Sequence, residues 1–125
     1  MNKKYSLLVS AALEEINERY SELFGVEELA ESLQFNKSYL IRRFKKETGL
    51  SPGKYLQDVR INRAKELLTR PQHSLEVVAA LSGFSCANYF CKVFKKITGE
   101  TPTEYRNKSI GPMASSMEEE ELYVL

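Results

Sequence analysis

Apolar residues recur along this chain at spacings of three and four, the rhythm of helices with one buried face. Leu8, Ala12, Ile16 and Tyr20, with Leu13 beside them, draw an inward stripe from about Ser6 to Tyr20, and Glu14, Glu15, Glu18 and Arg19 face water. Gly25 stands at an N-cap before a short helix, Val26–Ser32, with Glu27 and Glu28 in its first turn, where the dipole favours acids. Its Val26, Leu29, Ala30 and Leu33 turn inward. Asn36 then caps a helix from Lys37 to about Thr48, anchored by Leu40 and Phe44, and Gly49 stops it. A long helix follows, roughly Gly53 to Leu68, with Leu56, Val59, Ala64, Leu67 and Leu68 as its apolar positions. Pro71 forces a loop and Ser74 caps a helix Leu75–Ser82. Gly83 makes a tight turn into a helix Ala87–Thr98, whose stripe is Phe90, Phe94 and Ile97, and Tyr105 and Arg106 close the fold. The pattern predicts an all-α fold of about seven helices.

The chain repeats itself. Shifted by fifty positions, Ala30, Ser32, Tyr39 and Phe44 fall on Ala80, Ser82, Tyr89 and Phe94. Lys45, Lys46, Thr48, Gly49, Pro52 and Tyr55 fall on Lys95, Lys96, Thr98, Gly99, Pro102 and Tyr105, with no gap between Leu29 and Tyr55. Each copy reads as a helix, a short turn and a second helix able to enter a DNA major groove. The expected organisation is a first helix-turn-helix over about 26–52, a linker helix over about 53–68, and a second helix-turn-helix over about 74–106. Catalysis asks for unlike groups converging on one point, whereas a duplicated helix pair suits two successive grips on a periodic ligand.

The span Ala79–Arg106 carries Ala80, Gly83, Phe84, Tyr89, Phe90, Phe94, Lys95, Gly99, Thr101, Pro102, Tyr105 and Arg106. In these residues it closely resembles the signature of the AraC/XylS family of bacterial transcription regulators. The resemblance extends upstream to about Phe24 and implies a DNA-binding domain over 1–108. It implies sequence-specific binding of double-stranded DNA, with both second helices in successive major-groove segments about one helical turn apart. It also implies regulation of transcription, chiefly activation, with RNA polymerase as a partner. Positions matching the family's base contacts are Lys37, Ser38, Ile41 and Arg42 in the first unit and Ala87, Asn88, Cys91 and Lys92 in the second. Arg42 can give two donors to a guanine edge and Asn88 can read adenine, while Ala87 offers only contact with a thymine methyl. The second unit is poorer in specific donors and is expected chiefly to grip phosphate. Lys45, Lys46, Lys95 and Lys96 recur in both copies, either as DNA-backbone contacts or as solvated lysines. Arg60 either pins the linker helix or touches DNA. Tyr39, Tyr89, Phe44 and Phe94 are expected in the core, not as base-stacking platforms.

Charge sharpens the picture. The net +1 conceals an asymmetry: Met1–Gln34 carries three Lys/Arg against seven Glu, and Phe35–Lys108 carries fifteen Lys/Arg against six Asp/Glu. The segment holding both reading helices is therefore basic, as attraction to phosphate requires. Cys86 and Cys91 stand too far apart on a helix for an unstrained disulfide, and with His73 alone they make no metal site. They are expected as free thiols, with redox sensing by Cys91 a remote alternative. No metal, cofactor or enzymatic turnover is expected, and no apolar run is long enough to cross a membrane. A cytoplasmic, nucleoid-associated protein follows, with this segment monomeric and a dimer possible only through a further domain. Residues 109–125, with Glu118–Glu121 and the apolar Leu122–Leu125, are expected to form a flexible acidic tail that docks a partner or folds back on the basic face. The rival reading is a helical protein–protein interaction module, which would show no salt-sensitive affinity for duplex DNA.

Overall fold

A computed structural model describes residues 4–110. These form helices and no strand: α1 (Leu7–Arg19), α2 (Val26–Leu33), α3 (Lys37–Thr48), α4 (Pro52–Leu68), α5 (Leu75–Ser82), α6 (Ala87–Thr98) and α7 (102–110). The chain divides into two compact units at Arg60, so α4 gives its first part to unit 1 and its last part to unit 2. The all-α expectation is met, and the expected helix starts and stops agree to within a residue or two. Residues 109 and 110, placed in the tail above, belong to α7. The rest of that tail lies outside the described residues.

In unit 1 the core is Val9, Ala12, Ile16, Leu23, Leu29, Ala30, Leu40, Phe44 and Leu56. The stripe on α1 is centred on Val9, not Leu8, which packs at its edge with Leu13 and Tyr20. Glu15, expected in water, is largely covered, because Arg19 pairs with it at 2.9 Å and the Ser32 hydroxyl donates to it. Unit 2 buries Ile61, Ala64, Leu67, Leu68, Val78, Ala79, Phe84, Phe90, Val93 and Phe94. Ile61 and Val93 are absent from the stripes drawn above.

The duplication is visible in the bonding. Gly49 and Gly99 end α3 and α6 at φ 84° and 85°, and each donates its N–H to the carbonyl of Lys45 or Lys95 at 2.8 Å. Only glycine takes that left-handed conformation without steric cost. Just before each glycine a threonine hydroxyl bonds back into its helix, Thr48 to the Phe44 carbonyl and Thr98 to the Phe94 carbonyl, both at 2.8 Å. Ser51 and Thr101 then cap the following helices. An arginine closes each unit: Arg60 donates to the carbonyls of Tyr20 and Leu23, and Arg106 to those of Leu68, Arg70 and His73. Arg60 therefore pins the chain after α1.

The repeat is nevertheless not gapless. The left-handed residue ending the scaffold helix is Gln34 in unit 1 and Gly83 in unit 2, an offset of 49, whereas the caps of the reading helices, Asn36 and Cys86, differ by 50. The second turn is one residue longer. Buried Ala30 thus matches buried Ala79, and the coincidence of Ala30 with Ala80 and of Ser32 with Ser82 is fortuitous. The extra residue lets Phe84 turn inward, whereas Phe35 stays nearly half exposed.

The units also differ in how the reading helix meets the first helix. Arg43 and Glu47 occupy the positions of Val93 and Ile97. Glu47 accepts from the backbone N–H of Ser6 at the start of α1, at 2.7 Å, and from Arg43 at 2.6 Å. Its carboxyl is held below its ordinary value of 4.5, first by the Ser6 backbone bond and further by Arg43. A depressed carboxyl contributes stability above the unfolded value and loses it as pH falls through the folded one. Glu47→Gln should therefore lower stability at pH 7 and flatten its dependence between about pH 5 and pH 3, read by urea unfolding across that window. Parallel pH profiles for the two proteins would reject this role.

Candidate nucleic-acid interface

Each reading helix is built from its buried side outward. The Asn36 side chain accepts from the N–H of Tyr39 at 3.1 Å, satisfying one open donor of α3. Leu40 and Phe44 are fully buried below, and Phe44 meets Tyr55 of α4 edge-on at 5.7 Å. In unit 2, Phe90, Val93 and Phe94 hold α6, and Phe94 meets Tyr105 of α7 edge-on at 5.5 Å. The outer face of α3 then carries Lys37, Ser38, Arg42, Lys45 and Lys46, and that of α6 carries Asn88, Lys92, Lys95 and Lys96, all exposed.

Of the residues expected at base edges, Lys37, Ser38, Arg42, Asn88 and Lys92 are open to solvent, whereas Ile41, Ala87 and Cys91 are half-buried. Ala87 and Cys91 pack against the core of unit 2, which leaves only part of each for an outside ligand. Burial, and secondarily the charge of Glu76, push the Cys91 thiol up, so it sits as a small neutral apolar group. That chemistry opposes redox sensing at Cys91. Arg42 Nε bonds weakly to its own helix at the Ser38 carbonyl, 3.4 Å away, leaving its terminal nitrogens outward. Lys37 pairs with Glu27 at 3.1 Å across an exposed gap, an interaction worth little and easily exchanged for phosphate. Among the described residues, Arg42, Lys45, Lys46, Lys92, Lys95 and Lys96 have no ion pair within 4 Å. Lys95 lies close enough to help lower the Glu104 carboxyl, whose chief cause is the Thr101 N–H.

Two features escaped the sequence. Tyr39 and Tyr89, expected in the core, are 42% and 51% exposed. They lie on the flank of the helix, Tyr39 stacked on Phe35 at 6.1 Å and Tyr89 tilted on Phe84 at 6.2 Å. Helical spacing would have found them, since each follows a groove-side residue by one position and precedes a buried one. The second is a shallow groove of about 710 Å³ at the start of α3, lined by Phe24, Glu27, Glu28, Glu31, Lys37 and Ile41. Its glutamates put an acidic edge beside the cationic face, which only tertiary contact could reveal. Among the described residues no group of His, Cys, Asp and Glu could hold a metal, and no single helix is long and apolar enough to cross a membrane.

This paired arrangement has close counterparts. A helix-turn-helix domain family matches residues 29–108. The transcriptional activator RhaR of Mannheimia succiniciproducens is 34% identical over 111 residues, covering 87% of this chain and 40% of that protein. The C-terminal domain of AraT, a response regulator from Geobacillus stearothermophilus, superimposes with a TM-score of 0.82 at 31% identity, covering 87% of this chain and 91% of that domain. The DNA-binding domain of AdpA, solved with a target DNA, gives 0.75 at 29% identity, covering 81% of this chain and 91% of that one. The chain belongs to the AraC-type family of helix-turn-helix transcription regulators. As a member it has the helix-turn-helix DNA-binding domain of that family. It spans between 27% and 48% of the length of curated relatives. One of them, AdaA of Bacillus subtilis, is a bifunctional transcriptional activator and DNA repair enzyme.

The AraC-type reading helices are capped unequally. Cys86 caps α6 through sulfur, accepting from Tyr89 N–H at 3.5 Å, a weaker bond than Asn36 makes for α3. Cys86→Asn should raise stability by about 0.5–1 kcal/mol, read as a higher urea midpoint at unchanged slope. A lower midpoint would show that the thiol is better there than an amide.

Proposed function

We propose that the two units divide the work on DNA. The reading helices α3 and α6 enter successive major-groove segments on one side of the duplex, about one helical turn apart. The observation that carries this is the matched pair of capped helices, each with buried aromatics inward and free cations outward.

In unit 1, Lys37, Ser38, Ile41 and Arg42 supply most of the discrimination among bases. Arg42 leads because a guanidinium can bond a guanine edge with two donors. In unit 2, Asn88 is the single good base reader, Ala87 and Cys91 give apolar contact, and Lys92 serves an edge or a phosphate. Lys45, Lys46, Lys95 and Lys96 neutralise the backbone on either side. Bending the duplex to meet both helices would cost on the order of 1–6 kcal/mol, offset by the contacts of the second unit.

The regulatory outcome is activation, with RNA polymerase touched by surfaces outside the reading helices. The chain works in the cytoplasm at the nucleoid, without a cofactor, metal or turnover of its own, and as a monomer in this segment. The repair activity in the name of one relative is left with that relative, of which this chain covers 48%.

The test separates reading from gripping. Arg42→Ala should weaken binding to a selected site by about 1–3 kcal/mol and relax the choice at one base pair. Lys95→Ala should weaken all duplexes alike and reduce the salt slope by about one. Electrophoretic competition against random duplex reads both. Equal loss on specific and random DNA for Arg42→Ala would remove it from the base edge.

A further inference from the structure

Unit 2 presents a row of cations on α6 and exposed apolar residues on α5. Lys92 and Lys96 are one turn apart on α6, and Tyr89 continues their face three residues before Lys92. Val77 and Leu81, one turn apart on α5, are 41% and 48% exposed, and Tyr89 is half exposed. The last helix passes the C-terminal end of α6. The Tyr105 ring of α7 packs on Phe94 of α6, and Lys108 lies 3.8 Å from Glu100, just past the glycine that ends α6. Beyond α7 the sequence runs without a charge through Met117, then gives Glu118–Glu121 and the apolar Leu122–Leu125.

Reach and charge match. The eight residues from Ile110 to Glu118 span at most roughly 26–29 Å, more than the roughly 18 Å length of α6. An extended run of glutamates carries about one negative charge per 3.3 Å, close to the one per 3.4 Å of a single DNA strand.

We propose that Glu118–Glu121 occupy Lys92, Lys95 and Lys96 of α6, with Leu122–Leu125 laid against Tyr89, Val77 and Leu81, so that this segment competes with DNA for unit 2. The proposal rests on α6 facing DNA. Each exposed ion pair is weak, so the contact is made by tethering, which supplies an effective concentration near the millimolar range, and duplex DNA displaces it. Only DNA that also engages unit 1 then gains the second grip, which raises selectivity at the expense of affinity for random sequence.

The experiment compares the full chain with a full-chain variant in which Glu118, Glu119, Glu120 and Glu121 are all changed to Gln. Fluorescence anisotropy on a random-sequence duplex should show about three- to tenfold tighter binding by the variant at low salt, with the difference shrinking as salt rises. In the free proteins the backbone amide signals of Lys92, Lys95 and Lys96 should differ between the two. Deleting Leu122–Leu125 should move the Tyr89 ring signals and give part of the same gain. Equal affinities with unchanged amide signals overturn the proposal, as does a difference that grows with protein concentration, which would mark a second copy as the source. Amide differences without duplex binding by either protein would instead remove DNA as the ligand of α6.

Discussion

Each reading helix depends on one phenylalanine with no exposed surface, set edge-on against a tyrosine from the helix that follows. Phe44 with Tyr55 and Phe94 with Tyr105 repeat this contact at nearly the same distance and angle. Burying such a ring contributes about 1.5–3 kcal/mol, and the edge-to-face pair about 0.5–1.5 more. A surface ion pair contributes at most about 1. The aromatic pair therefore decides how the helix is rotated about its axis, and the cations on the far side inherit that angle. The glycine stop adds the remaining constraint, because the next helix must turn at once to bring its tyrosine under the phenylalanine.

The two units meet this constraint with different chemistry. Unit 2 completes the inner face of its reading helix with Val93 and Ile97, and unit 1 uses Arg43 and Glu47 at the same places. The Glu47 carboxylate accepts from the backbone N–H of Ser6, the cap of α1, so a polar clasp replaces an apolar one. The outward faces diverge too. The first carries Lys37 and Arg42 in its first two turns, while the second offers Asn88, Lys92 and two residues half taken up by the core. Unequal outward faces on similar scaffolds follow from these substitutions.

Much of this was legible in the residue pattern because the signals are local. Asn36, Ser74, Gly49 and Gly99 mark helix ends through the hydrogen bonds that their own side chain or backbone makes, and each does so in the structure. What was not legible depends on neighbours distant in sequence. Val93 and Ile61 are buried because a second helix covers them. Glu15 is covered because Arg19 and Ser32 converge on it, which no heptad count anticipates. The longer second turn was hidden by two chance identities, Ala30 with Ala80 and Ser32 with Ser82. Tyr39 and Tyr89 misled because aromatic residues beside a buried stripe are usually drawn into it. The cationic faces were anticipated correctly, but the half-burial of Ala87 and Cys91 needed the packed core.

The central claim is that two similar helices present unequal faces to one duplex. Selection of bound sequences from a random pool tests it most directly. The account predicts two preferred elements about one helical turn apart, with strong base preference in the element read by α3 and weak preference in the other. A single element, two elements of equal strength, or stronger preference on the α6 side would contradict it.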